Sequence, residues 1–250
     1  MSRSSPLCRP IARHRHPVRI AFAAALALLG PHAHAQDLSA GGLRHFVFRE
    51  NAEGVPVLFR RRSHVVLSTF GLEEQARVAA VKMAAAYALA SDVKLDVSGT
   101  GANLVVYRAP DINVGDRINT KILEGMNLPP DAVAAVAGTT GWSSGCGAYQ
   151  FSHPEGSISL ALVLIDEGLS AAKAATCLAT GMGQAFGLNI DPAVSGIFQY
   201  GYFQFPYLLH LGSACEHAYR KSGRSKAGER DYVISCVDAA LSEHFAILRK

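Results

Sequence analysis

The sequence predicts an α+β chain: a mixed sheet packed with helices and closed by a C-terminal helical hairpin. Three observations carry that expectation. Short runs rich in Val, Leu, Ile and Phe alternate with runs that repeat apolar residues every three or four positions. One run, Leu160 to Ile165, is apolar at every position, as a buried strand is. Two helix-length runs, residues 206–221 and 229–248, flank a turn rich in Gly and Ser at 222–228.

The N-terminus reads as an export signal. Arg3, Arg9, Arg13, Arg15 and Arg19 precede the apolar run from Ile20 to Leu29, and Ala33 and Ala35 flank His34 in a small-x-small cleavage pattern. The apolar run is short for a permanent membrane anchor, no second long one follows, and Cys8 lies before it, where it cannot carry a lipid after cleavage. The expected organisation is a signal peptide at 1–35, an α+β domain at 36–205 and a helical hairpin at 206–250 packed on it. The expected location is the periplasm or beyond. Cleavage removes five arginines and no acid, so Lys+Arg falls from 24 to 19 against 20 Asp+Glu and the formal charge moves from +4 to −1. The basic balance therefore belongs to the precursor, and no nucleic-acid footprint remains. The triplet Arg60, Arg61, Arg62 and the run 221–230 are expected on solvated faces or loops.

Along the mature chain, residues 44–49 and 56–69 alternate in the manner of strands. Residues 72–90 form the next element, a helix with Leu72, Ala76, Ala79, Ala80, Met83 and Tyr87 on one stripe and Glu73 and Glu74 where the helix dipole favours acids. Residues 93–98 and 103–108 follow as strands, a hairpin or neighbours, about a turn at 99–101. Val114, Ile118 and Ile122 recur at helical spacing and predict a helix over 114–124, and Pro130 suits the first turn of another over 130–136. Residues 146–152 and 157–166 are two strands about the turn residues 153–156. The last helix of the domain, 170–186, stops at Gly187.

Four cysteines remain after Cys8 is removed, which in an oxidising compartment reads as two disulfides. In an antiparallel helical hairpin Cys215 and Cys236 lie level on either side of the turn, which pairs them and leaves Cys146 for Cys177. Zinc ligation by these thiols is the competing reading, weakened by the absence of a Cys-x-x-Cys pair.

Candidate chemistry is sparse. Among His45, His64, His153, His210, His217 and His244 no two show the His-x-x-x-His spacing of a zinc helix. His210 and His217 share a helical face, but two turns separate them by about 10 Å, too far for one ion. Gly141 to Gly145 fits the Gly-x-Ser-x-Gly pattern with Ser143 in the nucleophile position, and Asp166 and His210 follow in triad order. Its context, the end of a short helix before a strand, is the reverse of the strand–turn–helix elbow that exposes such a serine. No phosphate-binding glycine loop occurs, and no cofactor is expected.

Cys177, Gln184, Gly187, Leu188, Asp191, Ser195, Ile197 and Phe198, together with the strand that opens on Asn103, resemble the pattern of a proteobacterial family of secreted proteins and lipoproteins, domain of unknown function number 2927. The resemblance spans residues 44–221, weakly at the start. That family looks like a zinc-peptidase fold, in which a His-Glu-x-x-His helix follows the last sheet strand. Those positions fall here on Ala179, Thr180, Gly181, Met182 and Gly183, so the ligands and the acid are missing, as are the family's paired glutamates at Thr180 and Gly181. The resemblance thus implies a zincin-like fold with a degenerate site helix and no bound metal.

Gly181 and Gly183 each cost a helix ~1 kcal/mol relative to Ala. They stand where a site would have been, with close backbone packing as their present use. A non-catalytic binding or scaffolding role for a protein or peptide partner follows as an expectation, with Phe151, Met182, Gln184, Tyr200, Tyr202 and Phe203 either lining a groove or, as the plainer reading of each aromatic, closing the core. The alternative is a hydrolase, either a serine esterase or peptidase using Ser143 or an unrecognised metallopeptidase drawing on His153, Asp166, His210 and His217.

Overall fold

The structure is a computed structural model. It describes residues 47–50, 56–61, 64–98, 101–115, 117–126, 128, 130–138, 145–153, 156–190, 204–225 and 228–248. The segment expected to be an export signal, Ser143, Tyr200, Tyr202 and Phe203 lie outside the described residues, as do Asp191, Ser195, Ile197 and Phe198.

A short antiparallel pair, β1 (Arg49–Glu50) and β2 (Pro56–Val57), opens the described chain. Then come β3 (Val65–Phe70), α1 (Glu74–Ala90), β4 (Leu95–Val97) and β5 (Leu104–Ala109). After these lie the hairpin β6 (Asn113–Val114) and β7 (Arg117–Ile118), α2 (Thr120–Glu124) and α3 (Pro130–Ala137). The chain closes with β8 (Cys146–Ser152), β9 (Ile158–Asp166), α4 (Ala171–Ala185), α5 (Gln204–Lys221) and α6 (Glu229–Leu248). The main sheet has the order β4-β3-β5-β9-β8. Its pairs are parallel except β8 with β9, so the expected mixed sheet with helices is present.

Strand alternation sorts the sheet into two apolar faces. Val65, Leu67, Leu104, Val106, Ala161, Val163 and Ile165 point into one core, shared with α1, α4, α5 and α6. Val105, Leu162 and Leu164 point the other way, to Ile112, Ile118, Leu123 and Val136 around α2 and α3. β9 supplies both cores, which is why its sequence is apolar without alternation. α1 packs on α4 and α5, and α5 on α6. Domain and hairpin fall within one compact unit, Leu38–Lys250.

Four expectations need correction. The strand signal at 56–69 resolves into β2, an isolated bridge at Arg60 and β3, and of the described residues of 44–49 only Arg49 is strand. β4 and β5 are neither a hairpin nor neighbours, because β3 lies between them and is parallel to both. Where β4 ends, Ser68 of β3 donates from Oγ to the carbonyl of Ser98. Asn103, just before β5, bonds to the start of β3: its Nδ2 donates to the His64 carbonyl and its Oδ1 accepts from the Val66 N–H at 2.8 and 2.9 Å.

The helix expected over 114–124 begins only at Thr120. Gly115 turns the β6–β7 hairpin at φ +64°, and the Asn119 side chain caps α2 by accepting from the Lys121 N–H. Finally, Arg60 and Arg61 are not solvated. Arg61 is fully buried, and Arg60 forms an ion pair with Glu216, at side-chain exposures of 12% and 4%.

Candidate functional site

α4 carries residues 179–183, the positions on which the resemblance would set a zinc-peptidase motif. Ser170 opens it by accepting from the Lys173 N–H. A Schellman motif closes it: the Leu188 N–H donates to the Gly183 carbonyl at 3.0 Å and the Gly187 N–H to that of Gln184 at 2.9 Å. Gly187 has φ +113°, and a Cβ there would collide with the carbonyl of Phe59. The chain at 59–61 is therefore pressed against the end of α4, and Arg61 fastens it. Its Nε donates to Ala185 O at 3.0 Å and its Nη2 to Asn103 O at 2.9 Å, with a longer bond from Nη1 to Ser159 O at 3.4 Å. Burial pushes the guanidinium down to about 9, so it remains cationic at neutral pH, where the negative end of the α4 dipole favours it.

The positions of the expected site are inside the core. Ala179, Thr180, Gly181, Met182 and Gly183 are all buried. The Thr180 hydroxyl is satisfied on its own helix, donating toward Thr176 O at 3.0 Å and Cys177 O at 3.3 Å. A Cβ at Gly181 would lie 2.5 Å from Val163 Cγ1 of β9, and one at Gly183 would run into Ile190 Cδ1 and lie 3.1 Å from the Tyr87 hydroxyl. Tyr87 stacks on Phe186 at 5.4 Å, and burial pushes its hydroxyl well above the ordinary range, so it is no base. Close packing is thus what these glycines now provide.

Of the groove residues, the described ones do not share one side of the sheet. Met182 lies in the core on the α4 side of the sheet. Phe151 packs beside Tyr149, ring centroids 5.1 Å apart, in the cluster on the opposite face. Gln184, half-buried, donates from Nε2 to the Ile190 carbonyl and secures the chain after α4.

Of the triad candidates, Ser143 lies outside the described residues. Asp166 is held by the turns around it, its Oδ1 accepting from the Gly168 N–H at 2.7 Å and its Oδ2 from the Ile112 N–H at 3.2 Å. His210 is exposed on α5. His153 and His217 are exposed too, and His64 faces Asp96 at 2.8 Å on the surface. Among the described residues no three His, Cys, Asp or Glu are grouped to hold a metal ion.

Both disulfides form as expected: Cys146–Cys177 ties β8 to α4 and Cys215–Cys236 ties α5 to α6, with Cα separations of 5.7 and 5.8 Å. Sequence reasoning missed the charged network beside them. Glu216, nearly buried on α5, pairs with Arg60 and with Arg220, and Arg220 Nε reaches Glu229 of α6 at 2.8 Å. Glu229 and Glu216 both raise the Arg220 pKa. The four-residue step from Glu216 to Arg220 was a visible helical ion-pair signal, whereas the partner at Arg60 carried none. Comparison of the chain with protein-family models, curated proteins and solved structures gives no match.

Proposed function

We propose that the chain is an exported, non-catalytic protein of zincin-like architecture, related to the family of domain of unknown function number 2927, that works by binding or scaffolding. The observation that carries the reading is the burial of residues 179–183 among apolar neighbours. A metallopeptidase needs imidazoles around zinc and a carboxylate to take a proton from the attacking water. Ala179, Thr180 and Gly183 offer neither, and a side chain at Gly181 or Gly183 would meet Val163 or Ile190. The order of elements supports the architecture, because α4 follows β9 directly, as the resemblance requires.

The paired cysteines support export, and among the described residues no helix is long and apolar enough to cross a membrane. The partner class that suits this frame is a protein or an extended peptide added along a sheet end, of which β8, the seven-residue strand beside α4, is the longer.

The test is elemental mass spectrometry of the mature, oxidised protein prepared without chelator or histidine tag, joined to fluorophosphonate labelling. Metal-free folded protein that takes no label is the expected result. One zinc per chain, or labelling abolished by Ser143→Ala, overturns the non-catalytic reading.

A further inference from the structure

We draw no further inference here: the strongest candidate, the rim at the carboxyl end of β5 where Arg108 stands beside the turns into α1 and α4, rests on helix N-termini, and its guanidinium is already engaged by Glu73 and the carbonyl of Glu167.

Discussion

Gly181→Ala decides whether α4 still borders a vacant site. In a helix with room for a methyl group the substitution stabilises by up to ~1 kcal/mol through propensity alone. Here the new Cβ would stand 2.5 Å from Val163 Cγ1 and 3.3 Å from Cγ2. Carbon atoms pack at about 3.5 to 4.0 Å, so helix and strand must separate by roughly 1 Å or Val163 must leave its rotamer. Val163 is fully buried in the middle of β9, and a β-branched side chain has few rotamers to choose from. Overpacking of this kind costs ~1–3 kcal/mol. Set against the propensity gain, the net effect is a destabilisation of up to about 2 kcal/mol, which for a chain of this size lowers Tm by a few degrees. Urea denaturation of the disulfide-intact protein measures it. Val163→Ala removes both colliding carbons, so in that background Gly181→Ala should turn neutral or stabilising, a coupling of about 1 kcal/mol or more. A Gly181→Ala protein more stable than wild type in the native background would refute the packing account and reopen the helix to a ligand.

Four further outcomes follow from the same contacts. Glu216→Gln leaves the guanidinium of Arg60 buried without its counter-charge and should cost about 3–5 kcal/mol in urea; a loss below about 1 kcal/mol would place the pair in solvent. Arg61→Met strips the donors from three carbonyls at about 1–3 kcal/mol for each one left unsatisfied, and hydrogen exchange should quicken first at residues 185–188; unchanged exchange there would sink the clamp. Removing the bridge across 21 residues, or the one across 31, by paired Cys→Ser changes should cost about 3–4 kcal/mol each, and a non-reducing peptide map should return Cys146 with Cys177 and Cys215 with Cys236 and no other pairing. Rebuilding the motif with Ala179→His, Thr180→Glu and Gly183→His should give a protein that is unfolded or, if folded, does not take up zinc in a titration; a folded variant with one tight zinc would show that a cleft exists after all.

What was legible in the sequence is what local chemistry decides. The stripe at 72–90, the glycine stop at 187 and the Ser/Gly turn at 222–228 each fix an element by residues within one turn of its end, and the structure places α1, α4, α5 and α6 there. Cysteine pairing was equally local once the hairpin was recognised. Strand neighbours are not local: nothing between Val93 and Arg108 says that β3 separates the two strands, because β3, at Val65–Phe70, lies elsewhere in the chain. The misread helix at 114–124 shows periodicity losing to turn chemistry, since Gly115 and Asn119 set the breaks whatever the spacing of Val114, Ile118 and Ile122. Arg61 was invisible because an arginine in a run of three reads as solvent-exposed; only the fold brings Ala185, Asn103 and Ser159 carbonyls around it. That Phe151 and Met182 fall on opposite faces was hidden for a like reason, as the pattern gave neither of them a sheet face.

The contacts of α4 also explain why a missing ligand set is more than an unoccupied site. A helix that presents groups to a cleft must keep one face off the core. Here Cys177, Leu178, Met182 and Ala185 share a core with β9 and α1, while the neighbouring glycines draw Val163 and Ile190 inward. Gly187 lets the chain at Phe59 press on the end of the helix, and Arg61 fastens that contact. Each feature tightens the seat of α4, and each removes space that substrate and metal would need. The stability won is therefore of the kind that trades against a site, with the helix seated between the sheet and α1.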